Sequence, residues 1–380
     1  MPVETESRSA LRELIELLTE IDARWAGPEW NLTSKADVVG AHRALMHLLE
    51  GGLHTMFEGD PEHPQFRRIV SPTRKFTGDN PDAIYYDAPI RGDRAYLVRG
   101  RMDGAVYVSL TLEVGTEDGS MGRRTAGVIN DTQFDVDAEG RFEIRIGGQP
   151  RNRGWLALDP EASRVTTRHY YEGTRPAAAD PRRALELEIR ALDPGPATAA
   201  PDDDSVAAGI RRTVQFVRSR TLEQAPMADA KLPPFVSIVP NQFPTPVTPG
   251  DFGLAAFDAA YSMAPYLIGP EQALVLRGRW PECRCANVCL WTRQQQTYDY
   301  AQRPVYLNRS QTRLEPDGSF RMLLCAHDPG LPNWIDTEGR PLGLVFWRFM
   351  LPEGEIETPT AELVSLDSLR SDVGRTQSDG

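Results

Sequence analysis

The residues whose types could do chemistry are concentrated in one loop near the C-terminal end of the chain. The run HDPGLPNWIDTEGRP, residues 327–341, contains His327, Asp328, Asp336 and Glu338. A histidine beside carboxylates can hold a divalent metal, or can supply a base and an acid for hydrolysis or elimination. The same residues also suit tight turns, because Asp-Pro-Gly and Asp-Thr-Glu-Gly place aspartate side chains near backbone N–H groups. The sequence leaves both interpretations open.

A second histidine is a candidate acid or base. His169 lies in the run RHYYEG, directly after Arg168. Because side chains alternate along a strand, one of the two residues should face inward and the other outward. His169 is therefore either a catalytic residue that faces a cleft or a residue on an exposed strand.

Three of the four cysteines fall in the run ECRCANVCL. Cys283, Cys285 and Cys289 share one parity with Asn287 and Trp291, so an extended strand places all five side chains on one face. The spacing C-x-C-x3-C is not a common zinc pattern. We therefore interpret the cysteines as a small apolar lining, of a pocket or of the surface between two modules.

The run TGDNPDAIYYDAP carries a third polar group. Asp79, Asn80 and Asp82 could bind a cation, but Pro81 interrupts the calcium-loop pattern and no closing glutamate follows. Asn-Pro with flanking acids is typical of a turn. We therefore predict a structural turn here.

Composition and missing motifs exclude several classes of function. The formal net charge of −12 and the pI near 5.1 disfavour a nucleic-acid partner. No window is long and apolar enough to span a membrane, and no secretory signal is visible, so a cytoplasmic location is expected. Glycine-rich nucleotide-binding motifs are absent, as are G-x-S-x-G and H-E-x-x-H. We predict no nucleotide cofactor; the expected cofactor is none or a divalent metal.

The elements that must position these residues change type along the chain. Amphipathic periodicity predicts a helix over residues 9–25, a second from a serine cap at Ser34, and a third in DDDSVAAGIRRTVQFVRSRTLEQ. Short alternating runs from about residue 65 predict strands. After a proline-rich passage, GLAAFDAAYSM is expected to be a short helix, and strands return beyond it.

The second strand-rich region repeats the first. YLVRGR is followed 178 positions later by LVLRGR, DAEGRFEIRI aligns with EPDGSFRMLL, Trp155 aligns with Trp334, and Arg168 aligns with Arg348. These matches keep their order and nearly constant spacing. The repeat predicts two copies of one β-module.

The repeat sets the predicted fold and domain boundaries. We expect a mainly β protein with some α, built from two related jelly-roll or β-sandwich-like modules. The predicted segments are a helical cap over 1–64, a first β-module over 65–195, a helical and proline-rich connector over 196–257, a second β-module over 258–369 and a disordered tail over 370–380.

The second module also resembles a known family. The runs SMAPYLIGPEQALVLRGRWPE, YDYAQRPVYLNRSQT and AHDPGLPNWIDTEGRPLGLVFWRFMLPEG resemble bacterial domain of unknown function 1214, which is often paired with domain of unknown function 1254. The first module resembles a diverged version of the same pattern. The resemblance implies a β-rich, jelly-roll-like fold and brings no catalytic residues with it.

Two hypotheses of function remain open. The first is a hydrolase or lyase of small-molecule metabolism, acting by acid/base or metal-assisted chemistry in a groove between the modules, with His327, Asp328, Asp336, Glu338 and His169 as candidates. Its polar loop residues have no counterpart in the first copy. The alternative is a non-catalytic protein that binds an apolar or carbohydrate-like ligand. In either case the expected partner is a small molecule, and the oligomeric state stays open. The residues expected to contact the ligand are Tyr85, Tyr86, Tyr261, Trp291, Tyr298, Trp334 and Arg348.

Overall fold

The described part of the chain is mostly β, with three α-helices grouped apart from the strands. The structure is a computed structural model, and it describes residues 3–193, 195, 200–225, 232–250 and 254–369. The predicted disordered tail over 370–380 lies outside these residues. Among the described residues, no helix is long and apolar enough to cross a membrane.

Each helix starts at a polar capping residue. α1 is Glu6–Ala23 and is capped by Thr5, α2 is Lys35–Met56, and α3 is Asp203–Ser219. Ser34 and Asp37 form a capping box at the start of α2, which confirms the predicted start, and Asp202 caps α3 in the same way. Short 3₁₀ turns occupy Pro28–Trp30 and Ala177–Ala179.

The three helices pack into one helical layer, although α3 comes far later in the chain. Their shared core contains Leu17 and Ile21 of α1, Leu45 of α2, and Phe216 and Val217 of α3. The connector helix therefore joins the N-terminal cap, because its apolar face needs the same cover as the faces of α1 and α2.

The first module is a sandwich of two sheets. Its strands are β1 (Arg67–Arg68), β2 (Ala83–Pro89), β3 (Tyr96–Arg101), β4 (Tyr107–Val114), β5 (Arg124–Asn130), β6 (Arg141–Ile146), β7 (Trp155–Leu156), β8 (Ala162–Tyr170) and β9 (Leu187–Ala191). One sheet has the order β1-β2-β8-β4-β5 and the other β7-β6-β3-β9. Apolar side chains from both sheets, including Val98, Leu110 and Ile144, fill the space between them.

The second module repeats this topology, except that β1 has no counterpart in it. Its strands are β10 (Ala259–Leu267), β11 (Gln272–Gly278), β12 (Cys285–Trp291), β13 (Tyr306–Asn308), β14 (Phe320–Cys325), β15 (Trp334–Asp336), β16 (Leu342–Met350) and β17 (Thr360–Ser365). Its sheets have the orders β10-β16-β12-β13 and β15-β14-β11-β17. The predicted mainly β fold of two related β-sandwich modules with helices is confirmed; the finer prediction of a jelly roll stays a prediction.

Equivalent residues keep equivalent contacts in the two modules. The indole Nε1 of Trp155 donates to Gly147 O at 3.0 Å, and that of Trp334 donates to Cys325 O at 3.1 Å. Arg168 pairs with Tyr85 across two antiparallel strands, as Arg348 does with Tyr261.

The two modules meet through one sheet of each, which we call the inner sheets: β1-β2-β8-β4-β5 and β10-β16-β12-β13. Asn287 of β12 exchanges hydrogen bonds with Asn80, just before β2. Arg348 of β16 lies over the ring of Tyr170 of β8, with 5.9 Å from its guanidinium carbon to the ring centroid. The inner sheets are therefore covered on both faces, by the module core on one side and by the other module on the other.

One predicted element is wrong. The run GLAAFDAAYSM does not form a short helix, because strand β10 begins at Ala259. Almost every residue of β10 is buried, since the inner sheet is covered on both faces. A strand buried on both faces lacks the alternation that identifies a half-exposed strand, and small apolar residues then favour a helical interpretation.

Candidate functional site

A small, partly open space lies between the two inner sheets. Its empty volume, including the part open to solvent, is about 180 Å³, and it is too narrow for a water molecule to fit between the side chains as they stand. It is lined by Asp82, Tyr170, Tyr171, Cys285, Ala286, Asn287, Arg348 and Met350. We call this space the inter-module cavity.

Arg348 is the cationic group of the cavity. It is only 5% exposed, and its one hydrogen bond among the described residues runs from Nη2 to Gly78 O at 3.3 Å. Its Nε and Nη1 atoms have no hydrogen-bond partner in the described part of the chain. Burial lowers the pKa of Arg348, but the neighbouring tyrosine phenols, that of Tyr170 first, raise this pKa above its usual value. The guanidinium is therefore charged and only partly satisfied.

The equivalent arginine of the first module donates hydrogen bonds from both of its terminal nitrogen atoms. Arg168 donates from Nη1 to Thr111 Oγ1 at 2.7 Å and from Nη2 to Leu254 O at 3.1 Å. The same two residues hydrogen-bond the carboxylate of Glu113, through Thr111 Oγ1 at 3.1 Å and Leu254 N at 3.0 Å. The charge of Glu113 raises the pKa of Arg168 against the effect of burial. Each of these two buried charges thus compensates the other.

The second module has lost the acceptors that serve Arg168. Strand pairing places Asn287 opposite Arg348, as Ser109 is opposite Arg168. Two residues further along each strand, Cys289 stands where the first module has Thr111, and Trp291 stands where it has Glu113. The chain therefore supplies no carboxylate to Arg348 at this position.

Asp82 is the acidic group of the cavity. Its carboxylate accepts from Asn287 Nδ2 at 2.9 Å and from Asn308 Nδ2 at 3.1 and 3.2 Å. Burial raises the pKa of Asp82 to about 7, against the lowering effect of these amide hydrogen bonds. A carboxyl group with a pKa in this range can take up or release a proton near neutral pH.

Two further buried charges flank, in the sequence, Gly78, whose carbonyl oxygen accepts from Arg348. Asp79 accepts from Thr297 N at 2.8 Å and from Thr297 Oγ1 at 2.5 Å. Lys75 donates to Thr297 Oγ1 at 3.0 Å and lies 3.5 Å above the ring of Tyr300. Burial raises the pKa of Asp79 and lowers that of Lys75 to about 8. The predicted turn at Asp79 and Asp82 is therefore also a polar junction between the modules.

The structure brings together four of the seven residues that were predicted to contact a ligand. Tyr85, Tyr261, Trp291 and Arg348 all lie between the inner sheets. The Tyr85 hydroxyl lies 3.2 Å from that of Tyr170, a cavity residue, and the ring of Tyr261 lies 5.5 Å from the guanidinium of Arg348. Trp291 donates from Nε1 to Asp79 O at 2.9 Å.

The other three predicted ligand residues lie elsewhere. The Tyr86 hydroxyl accepts from Leu185 N at 3.2 Å on the opposite side of β2. Tyr298 is buried inside the second module, with its hydroxyl 2.7 Å from that of Tyr266. Trp334 packs on the outer face of the second module, beside Val275 and Leu323. Their prediction rested on residue type alone, which does not tell on which sheet face an aromatic ring lies.

The structure does not bring the polar loop residues together around a cavity. His327 and Asp328 are exposed, and Asp328 Oδ1 accepts from Gly330 N at 2.8 Å. Asp336 accepts from Arg303 Nη1 at 2.5 Å, and Glu338 accepts from Asp299 N at 2.7 Å. No hydrogen bond or ion pair joins the imidazole of His327 to a carboxylate in the described part of the chain. The carboxylates of this loop hold turns and neighbouring segments, which is the turn interpretation of the run.

His169 does not face a cleft. Its ring is fully buried in the core of the first module, with its centroid 6.3 Å from that of Phe142. Burial lowers the pKa of His169 to about 4, so the imidazole is neutral at pH 7. Its neighbour Arg168 faces the second module, so alternation separates the two as predicted, but both are buried because both faces of the inner sheet are covered.

The cysteines are free thiols, and Cys285 lines the cavity. Burial raises the pKa of Cys283 and Cys289, to about 11 and about 12. Among the described residues, no three His, Cys, Asp or Glu side chains come close enough together to hold a metal ion.

Sequence reasoning missed Asp82, Tyr170 and Asn287 as members of one site. A signal existed in the internal repeat, because aligning the two copies shows Cys289 and Trp291 in place of Thr111 and Glu113. The arginine is present in both copies, but the residues that accept its hydrogen bonds are replaced in the second copy. Such an arginine is a candidate binding residue.

Comparison with solved structures finds one bacterial protein with the same fold, and a second bacterial protein with lower similarity. A putative uncharacterized protein from Burkholderia cenocepacia is 25% identical, with a TM-score of 0.78 over 96% of this chain and 97% of that chain. The VPA0106 protein from Vibrio parahaemolyticus is 12% identical, with a TM-score of 0.49 over 85% of this chain and 100% of that one. No protein-family model matches the sequence, and no curated protein matches it. The resemblance to domain of unknown function 1214 stays a prediction.

Proposed function

We propose that this protein is an enzyme of small-molecule metabolism, of hydrolase or lyase type, that binds a small carboxylate in the inter-module cavity. The observation that carries the proposal is the buried, charged Arg348 with two unpaired nitrogen atoms. In this proposal Arg348 binds the anionic group and Asp82 transfers the proton, in place of the loop residues around His327.

The anionic character of the ligand follows from the cost of burying a charge. A buried guanidinium without a partner is unfavourable by several kcal/mol, on the order of the penalty for removing one member of a buried ion pair. Arg168 avoids this cost through Glu113 and Thr111, whereas Arg348 has no equivalent groups. A ligand that brings its own carboxylate would supply what the second module lacks.

The rest of the lining suits a small molecule with an apolar body. The rings of Tyr170 and Tyr171 and the side chain of Met350 surround the polar groups. Since the cavity is too narrow for a water-sized sphere, side chains must move when a ligand enters. A compact substrate of a few carbon atoms fits these limits best.

Asp82 supports a catalytic role because its pKa of about 7 is close to physiological pH. Its carboxylate form can accept a proton from a bound substrate, and its protonated form can return one. Asn287, which lies beside Arg348 across the strand pair, also donates to Asp82. The side-chain amide of Asn287 therefore lies between Arg348, the proposed anion-binding residue, and Asp82, the proposed proton-transfer residue.

A non-catalytic binding protein is the second candidate. It is favoured by the saturation of Asp82, whose two oxygens already accept hydrogen bonds from Asn287 and Asn308. A carboxylate held in this way can serve to orient the amides rather than to move protons.

The first experiment tests anion binding. Thermal unfolding of the full chain would be followed with increasing propionate, with 1-propanol as a neutral ligand of the same size. We expect propionate, but not 1-propanol, to raise the Tm, because it binds the folded state at Arg348. Arg348→Gln should abolish this increase. The matched control is Arg303→Gln, which breaks an ion pair away from the cavity and should keep the increase. Equal increases in Arg348→Gln and wild type would overturn the proposal.

The second experiment separates enzyme from binding protein. A panel of small carboxylate esters and hydroxy acids would be incubated with the wild-type protein and with Asp82→Asn, and products measured by mass spectrometry. The enzyme proposal predicts turnover that Asp82→Asn loses while propionate binding is retained. Binding without any product would favour the second candidate. From the sequence alone, we also propose that the protein acts in the cytoplasm.

A further inference from the structure

Helix α2 carries an apolar stripe that stays exposed in the part of the chain that the structure describes. Val39, Met46 and Leu53 follow each other at intervals of seven residues, and they are 59%, 53% and 47% exposed. We infer that this stripe pairs with α2 of a second copy of this chain, in antiparallel orientation. The inference is independent of the function proposed above.

The stripe is separate from the face that α2 buries in its own chain. The buried face contains Ala41, Ala44 and Leu45, which pack in the helical layer, and Leu48, which is also buried. The exposed positions follow a heptad pattern, with Val39, Met46 and Leu53 at one core position and Ala36, Arg43 and Glu50 at the other. A seven-residue repeat of exposed apolar residues is typical of a helix that pairs with another helix.

The spacing of the stripe indicates a two-fold axis at Met46. Val39 lies seven residues before Met46 and Leu53 lies seven residues after it. An antiparallel pair centred there therefore places Val39 against Leu53 of the second copy, and Met46 against Met46. Such a pairing buries all three apolar side chains of each helix, which is the main stabilising contribution in helix association.

The charges on the stripe favour the antiparallel orientation. Arg43 lies three residues before Met46 and Glu50 four residues after it, so the antiparallel pair brings them within about one residue rise, or ~1.5 Å, of each other along the axis. A parallel pair would instead place arginine beside arginine and glutamate beside glutamate, which is unfavourable. Opposite charges thus meet twice in the antiparallel dimer.

Neither Arg43 nor Glu50 forms a strong ion pair in the described part of one chain. Arg43 forms no ion pair with any residue that the structure describes, and Glu50 pairs only with Arg74 at 3.3 Å, with half of its own side chain exposed. An exposed ion pair of this kind contributes little to stability, so Glu50 can exchange its partner at little cost. Since the interface is one helix pair, we expect a reversible dimer with a Kd on the order of 10 µM.

A charge exchange tests the pairing in the full chain. Sedimentation velocity over a range of protein concentrations should show a monomer–dimer equilibrium for the wild type. Arg43→Glu and Glu50→Arg should each weaken the dimer roughly tenfold, because like charges then meet. The double variant should restore it. Loss of folding cannot produce such a restoration. A wild type that stays monomeric at high concentration, or single variants that dimerise as well as the wild type, would overturn the inference.

Cysteine cross-linking tests the position of the axis. Met46→Cys should form a disulfide-linked dimer under mild oxidation, because the two copies of position 46 meet at the axis. Val39→Cys and Leu53→Cys should cross-link poorly alone and efficiently when the two variants are mixed. If Val39→Cys alone cross-links as well as Met46→Cys, the helices are not paired as we infer.

Discussion

Arg168 and Arg348 occupy the same position in the two modules, yet only Arg168 shares its hydrogen-bond partners with a carboxylate. Thr111 and Leu254 bind both Arg168 and Glu113, so two buried charges are joined through common neighbours. Among the described residues, Arg348 has only the carbonyl oxygen of Gly78 as a hydrogen-bond acceptor, together with the rings of Tyr170, Tyr261 and Phe346. One of the two equivalent arginines, Arg168, therefore stabilises the fold, whereas Arg348 has guanidinium N–H groups that are free to bind a ligand.

The two arginines should therefore respond differently to the same substitution. Arg168→Met leaves Glu113 buried without its cation, and we expect it to lower the free energy of unfolding by about 3 kcal/mol. Arg348→Met removes a charge that is only partly compensated, so we expect a change of less than about 1 kcal/mol, in which lost ring contacts offset the relief of desolvation. Urea unfolding of both variants measures the difference. An equal loss in both would show that Arg348 is as structural as Arg168.

Asp82 should make the protein less stable as the pH rises. Its folded pKa of about 7 lies above the ordinary value of 3.8, so the folded state binds more protons than the unfolded state between about pH 4 and 7. The contribution of this group to stability is therefore present at low pH and is lost as the pH rises through 7. Other buried carboxylates add slopes of the same sign, so the difference between wild type and Asp82→Asn is the quantity to measure.

We expect the free energy of unfolding of the wild type, minus that of Asp82→Asn, to decrease steadily from pH 4 to pH 7. The variant therefore gains stability relative to the wild type as the pH rises. Urea unfolding at several pH values gives the curve. A difference that does not change with pH would mean that the pKa of Asp82 is close to its ordinary value, and the proton-transfer role would lose its support.

Much of the fold could be predicted from the sequence because its signals are local. The capping box at Ser34 and Asp37, the alternating edge strands and the glycine turns are recognised within a few residues. The repeat adds a longer-range signal, since the alignment of Trp155 with Trp334 and of Arg168 with Arg348 is enough to identify two copies of one module. The strands of the inner sheets, such as β10, gave no alternation, because burial on both faces removes it.

The site could not be predicted in the same way, because it is made by pairs that are far apart in sequence. Asp82 meets Asn287 and Asn308 more than two hundred residues later. Within its own run, Asp82 is only one acid beside a proline and is correctly interpreted as part of a turn. The loop around His327 shows the converse case, in which a dense local group of polar residues is used for turns.

His169 should limit stability in acid. Its folded pKa of about 4 lies below the ordinary value of 6.5, so the unfolded state binds more protons between these pH values. Stability from this group is present above pH 6.5 and is lost as the pH falls towards 4. His169→Phe, which can pack beside Phe142, should remove this loss without changing propionate binding. Unfolding curves from pH 4 to 7 test the first expectation. Loss of propionate binding in this variant would return His169 to the functional site.

The ion pair between Glu172 and Arg309 should control access to the inter-module cavity. Glu172 accepts from Arg309 Nε at 2.7 Å and Nη2 at 2.6 Å, and also from the backbone N of Ala286, a cavity residue, at 3.0 Å. Arg309 in turn donates to the carbonyl oxygens of Cys283 and Arg284. This group of contacts ties the end of β8 in the first module to the start of β12 in the second, directly beside the cavity.

Cys285 reports on this opening without any ligand, because it lines the cavity and is buried. Glu172→Gln removes the ion pair, and we expect the alkylation of Cys285 by a small thiol reagent to become roughly tenfold faster, which corresponds to about 1.4 kcal/mol in the cost of opening. Mass spectrometry would follow Cys285 relative to Cys325, a buried thiol outside the cavity. Arg303→Gln, which breaks a different ion pair, should leave the ratio unchanged. If Glu172→Gln accelerates both thiols equally, the ion pair stabilises the whole fold rather than the entrance to the cavity.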